Sequence, residues 1–104
     1  MLRRTLLAAA CVGLLAPQTL LAQTYPSRPV TIVVPNAAGG GTDTIARVIA
    51  DQLSKQMNSS FVVENRTGAG MVVGTVAVAK APPDGHMLLV GLNGNMTVNP
   101  SLYA

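Results

Sequence analysis

Residues Val30–Arg47, V-T-I-V-V-P-N-A-A-G-G-G-T-D-T-I-A-R, constrain the fold more than any other stretch of the chain. A β-branched run ends at Pro35, a loop with three successive glycines follows, and an amphipathic helix is predicted to begin at Thr42 or Asp43. The unit is strand, loop, helix. Its loop carries almost no side chains, so backbone N–H groups can close directly on a ligand, and the helix N-terminus adds partial positive charge. That chemistry suits a small anion such as a carboxylate or a phosphate.

The N-terminus is set aside before any fold reasoning. Met1–Arg4 carries two arginines, and 5–16 is an uncharged Leu/Ala-rich run, long enough for a signal-peptide core and short for a membrane span. Residues 1–22 are therefore read as a signal peptide cleaved after Ala22, with Leu20 at the −3 position. Cys11 is the only cysteine and leaves with this segment, so residues 23–104 have no disulfide, thiolate nucleophile or cysteine metal site. Loss of Arg3 and Arg4 also lowers the formal charge from +3 to +1, five basic residues against four acidic. No basic tract supports nucleic-acid binding.

Past a polar lead-in at 23–29, Val30–Val34 reads as a buried strand, because T-I-V-V lacks polar alternation. Asn36–Gly41 is the loop. In the following helix Ile45, Ile49, Leu53 and Met57 recur at spacing four, with Ala46 and Ala50 beside them, and Asn58-Ser59-Ser60 ends it. Phe61–Glu64 is the second strand and Asn65–Gly70 a second glycine-containing turn. Residues 71–80 read as a helix between two strands, although the valines also permit a strand. Ala81–Gly85, A-P-P-D-G, is a turn, Met87–Leu92 the third strand, and Gly91–Pro100 a third polar loop. The order β-α-β-α-β predicts an open α/β parallel sheet with right-handed crossovers. The loops at 36–41, 65–70 and 91–99 all follow strand carboxyl ends, where such sheets bind ligands. Three parallel strands with two helices leave a sheet edge and a face uncovered, so residues 23–104 are expected to be an incomplete lobe.

The residues favour binding over catalysis. Gly39-Gly40-Gly41-Thr42-Asp43-Thr44 fails the dinucleotide fingerprint G-x-G-x-x-G, and no Gly-Lys-Ser/Thr follows as in a phosphate loop. A carboxylate is the better ligand; a plain tight turn is the other reading of the glycines. Asp43 has two possible roles, capping the helix and shaping the loop, or touching a polar ligand group such as an amine or hydroxyl. Asn36, Asn65, Asn93 and Asn95 lie in the convergent loops, where amides suit both polar ligands and turns. Arg66 reads as a solvated surface charge. His86, the lone histidine, precedes the third strand at the end opposite the predicted site and reads as non-catalytic. With no second histidine and no acidic cluster, no metal or other cofactor is expected. No serine sits in a G-x-S-x-G context.

Four blocks in order carry a resemblance: Tyr25–Arg47, Val62–Gly70 (V-V-E-N-R-T-G-A-G), Ala81–Gly91 (A-P-P-D-G-H-M-L-L-V-G), and V-N-P-S-L-Y. Together they resemble the first part of the Bug-type solute-binding receptors of tripartite tricarboxylate transporters. The resemblance implies the first part of lobe one in a two-lobe periplasmic binding protein-like fold. It implies a periplasmic receptor that takes a small carboxylic acid and serves membrane permease subunits. Carried over by position, ligand contacts come from Ala37, Ala38, Gly39, Gly40, Gly41, Thr42 and Asp43 and from Asn93, Gly94, Asn95 and Thr97, with Asn65–Gly70 a weaker candidate. The chain departs from the family pattern at Asn36, usually aromatic or apolar, at Thr67, usually proline, and at His86, usually tyrosine. Two other readings are a fragment of an open α/β enzyme acting on small acids and a truncated, non-functional product.

Overall fold

Five β-branched residues in a row suit a strand buried on both faces, and Val30–Val34 forms β1 with every residue but Thr31 buried. The computed structural model describes residues 24–103. The predicted signal peptide and its cleavage after Ala22 lie outside the described residues. After β1 come α1 (Gly41–Met57), β2 (Phe61–Asn65), α2 (Val72–Ala79) and β3 (Met87–Leu89). A π-helical turn at Gly94–Val98 then leads into the short helix α3 (Asn99–Leu102). The β-α-β-α-β order is borne out.

All three strands are parallel, and β1 lies in the middle of the order β2-β1-β3. Val30 registers with Phe61 and Val34 with Asn65 on one side; Thr31 registers with Met87 and Val33 with Leu89 on the other. The two crossovers therefore run in opposite directions. The right-handed connection that is the rule between parallel strands then places α1 on one face of the sheet and α2 on the other. On the α1 face, Val30 and Ile32 meet Ala50 and Phe61, with Leu53, Val63 and Val90 packed around them. Val33 points the opposite way by strand alternation and is also fully buried.

The helix α1 corrects the expected packing row. Its buried residues are Asp43, Ala46 and Ala50, while Ile45, Val48 and Ile49 are exposed by 62%, 59% and 49%. The alanine row lies beside the isoleucine row on the helix surface, and the sheet takes the smaller side chains, which allow the closer approach. The helix ends as expected. Asn58 adopts the left-handed conformation (φ 48°) that asparagine tolerates, and its N–H donates to the Ser54 carbonyl. Ser54 then ties helix to strand: its hydroxyl donates to Ala50 O (2.7 Å) and accepts from Phe61 N–H (3.1 Å).

Residues 72–79 are helical, which decides against the strand reading of the valine-rich stretch. The third loop is corrected. Strand β3 stops at Leu89, although Val90 N–H still donates to Val33 O at 2.9 Å. From Asn93 onward the chain winds into helix, and Asn99 N–H reaches back five residues to Gly94 O. Gly, Asn and Pro there read locally as a loop. A distant partner overrides that tendency: Asn95 Nδ2 donates to Thr75 Oγ1 (3.1 Å) on α2, and Asn95 Oδ1 accepts from Leu92 N–H (2.8 Å).

The lead-in is fastened at the amino end of β3. Ser27 N–H donates to His86 Nε2 (3.2 Å), and the Tyr25 ring meets the His86 ring edge-on at 5.2 Å. Tyr25 also donates its hydroxyl proton to Gly85 O, and Arg28 pairs with Asp84 at 2.6 Å. His86 is buried among these groups, at the strand end where the sequence places it.

Candidate functional site

In a sheet ordered β2-β1-β3, the chain leaves β1 toward one face and β3 toward the other. The crevice between their carboxyl ends is the topological switch point where open α/β sheets take ligands. Two of the three expected loops flank it. Ala37, Ala38, Gly39, Gly40 and Gly41 are all exposed at the end of β1, and Asn93 and Thr97 are exposed beyond β3. Thr42 and Gly94 are half-buried.

The glycines serve the loop in different ways. Gly39 has φ +87°, a conformation most residues avoid. A side chain added at Gly39 or Gly41 would meet no atom within 4 Å, so the loop surface is bare backbone open to its surroundings. The helix cap is corrected: α1 begins at Gly41 with Gly40 as N-cap, rather than at Thr42 or Asp43. Its first backbone bond runs from Thr44 N–H to Gly40 O (3.0 Å). The N–H groups of Gly41, Thr42 and Asp43 precede that bond and have no intrahelical acceptor.

Asp43 is the third helical residue, and its side chain turns inward. Its Oδ2 accepts from Gly39 N–H (2.9 Å) and Arg47 Nε (3.0 Å), and its Oδ1 accepts from Asn65 Nδ2 (3.0 Å). Of the two roles read from the sequence, this arrangement matches loop shaping, with the carboxylate already engaged on both oxygens. The Arg47 guanidinium, then the Gly39 N–H and the Asn65 amide, hold the Asp43 carboxyl at about 2, against an ordinary 3.8. A depressed carboxyl stabilises the fold fully above its ordinary value and loses that contribution as pH falls toward the folded value. The Gly39 amide resonance should therefore shift with a midpoint near 2 in an acid NMR titration. A midpoint near 3.8 would show that the carboxylate does not hold the loop.

Asn95, expected as a ligand contact, is buried at 4% and its amide is committed to Thr75 and Leu92. Asn65, expected only as a weak ligand candidate, has its amide bonded to Asn36 O, Asp43 and Arg47. Arg66 pairs with Glu64 at 2.8 Å, which raises its already high pKa. Sequence reasoning missed Arg47 as part of the site. The spacing of four between Asp43 and Arg47 on one helix was the available signal. Among the described residues, no three His, Cys, Asp or Glu side chains gather as metal ligands.

A doubly wound parallel sheet with a side-chain-free loop at its switch point is the architecture of a ligand-binding α/β lobe. Residues 45–104 match the family described as tripartite tricarboxylate transporter family receptor (TctC), and the chain belongs to that family. It is 47% identical over 81 residues to the protein BugT of Bordetella pertussis, covering 78% of this chain and 24% of that protein. A solved structure described as a periplasmic transporter superposes with a TM-score of 0.72 at 41% identity, over 75% of this chain and 26% of the other. MatC from Rhodopseudomonas palustris, solved with bound malate, superposes with a TM-score of 0.62 at 48% identity, over 64% and 23%. The chain thus spans about a quarter of the length of the relatives it matches.

Proposed function

We propose that this chain supplies the anion-binding edge of an extracytoplasmic solute-binding receptor, one that captures a small carboxylate and passes it to membrane permease subunits. The observation that carries this reading is the bare Gly39–Gly41 loop at the β1/β3 switch point, with the unpaired N–H groups of Gly41 and Thr42 beside it. The family and the malate bound by MatC support a carboxylate as the ligand. Backbone N–H groups from Ala37 to Thr42, apart from that of Gly39, which Asp43 takes, supply donors from one wall. Asn93, Gly94 and Thr97 line the other. The Asp43 carboxylate is paired with Arg47 and bonded to the Asn65 amide, which offsets its repulsion of an anion. Nothing in this arrangement pairs a nucleophile with a base, and capture followed by release is the chemistry it serves. The N-terminal signal reading and the periplasmic relatives support export to the periplasm.

The test is thermal unfolding of the complete protein with a panel of mono-, di- and tricarboxylates. One acid or a narrow group should raise the midpoint in a concentration-dependent way, because a ligand that binds only the folded state stabilises it by mass action. No rise with any acid, or recovery of a chemically altered acid after incubation, would overturn the receptor reading.

A further inference from the structure

We propose that Asn65 is the positioning residue that sets the glycine loop in its binding shape, acting through Asp43. The proposal rests on the receptor reading for its ligand and on geometry for everything else. Asn65 closes β2 and registers with Val34, the residue before Pro35 and the loop. Strand pairing therefore delivers its side chain to the base of the loop. There the amide uses both donors and its carbonyl: Nδ2 donates to Asn36 O (3.2 Å) and Asp43 Oδ1 (3.0 Å), and Oδ1 accepts from Arg47 Nη2 (3.1 Å). Among side chains, only a primary amide offers two donors and an acceptor at once without charge. Asp43, so held, takes the Gly39 N–H at 2.9 Å and fixes the left-handed residue of the loop.

The arrangement also governs charge. Asp43 is buried at 4%, while its cation Arg47 is largely exposed. The Asn65 amide supplies the inward hydrogen bond that keeps the carboxylate turned from the crevice. Without it, Asp43 is released at the rim of a site that takes anions. The loss of affinity should then grow with the negative charge of the ligand.

Two variants test this, Asn65→Ala and the near-isosteric Asn65→Asp, which replaces the donors by a carboxylate facing Asp43. Hydrogen exchange at the Gly39 amide should accelerate about tenfold in both, since the bond to a charged acceptor is lost. Exchange at the Val30 amide, bonded to Ser60 O within the β1/β2 junction, should hold. Malate affinity should fall about tenfold, the usual cost of one charge-assisted bond, and affinity for the monoanion 3-hydroxybutyrate should fall less. Unchanged Gly39 exchange, or equal acceleration at Gly39 and Val30, would overturn the positioning role. Equal losses for the two acids would overturn the charge argument. A wild-type protein that binds neither acid while the Gly39 effect holds would overturn the ligand reading and leave the loop-setting role standing.

Discussion

Replacing Phe61 with alanine should destabilise the fold by about 3 kcal/mol, the largest loss expected from any single truncation here. Phe61 is the only phenylalanine, and the chain has no tryptophan. Its ring sits with Val30, Ile32 and Ala50, and Leu53, Val63 and Val90 pack around them. All of these neighbours but Leu53 are small or β-branched and stiff, so they collapse poorly into the space that the ring leaves. Large-to-small changes of this kind cost about 3–5 kcal/mol. The lower end applies because a groove lined by Arg47, Ala50, Ser54 and Val62 opens beside the ring and admits water to the cavity. Urea unfolding of the variant measures the difference directly. A loss near 0.5 kcal/mol, roughly what a surface substitution costs, would show that this cluster is not the core.

Gly74→Val should cost about 1–3 kcal/mol and also weaken any ligand-induced stabilisation. A Cβ at Gly74 would lie 2.7 Å from Arg66 O and 3.2 Å from the Cα and Cβ of Pro35. The obstacles are backbone and a proline ring, so no side chain can rotate away. Helix α2 would have to lift from the sheet. Alanine at the same position sharpens the test, because glycine in a helix interior costs about 1 kcal/mol relative to alanine. If packing against Pro35 decides, Gly74→Ala destabilises despite that gain. A stabilised Gly74→Ala variant would show that the contact is soft. The ligand effect follows from what the obstacles are: Pro35 opens the glycine loop and Arg66 begins the second turn, so displacement of α2 moves both.

Much of the architecture was legible because it is written in short stretches. The β-branched run of β1, the three glycines, the Asn58 stop and the A-P-P-D-G turn each act within a few residues. Parallel strands followed from the helix-length spacing between them. The convergence of the loops followed from parallel strands. The candidate anion loop was equally legible, since a stretch without side chains exposes backbone whatever surrounds it.

The errors have one physical source. On α1 the isoleucine row and the alanine row are adjacent, and both satisfy helical periodicity. Only the sheet beneath selects Ala46 and Ala50. At 91–100, local turn tendencies of Gly, Asn and Pro lost to a bond between Asn95 and Thr75, twenty residues apart. Asp43 and Asn95 are polar residues in a predicted site, yet partners from other elements turn both inward. The sequence by itself determined the element order, the parallel sheet and the bare loop, because those depend on local backbone preference and periodicity. Only the tertiary structure decided the order β2-β1-β3, the packed face of α1, and which polar side chains brace the loop rather than meet a ligand, because those depend on which groups from distant elements compete for the same hydrogen bonds and the same surface.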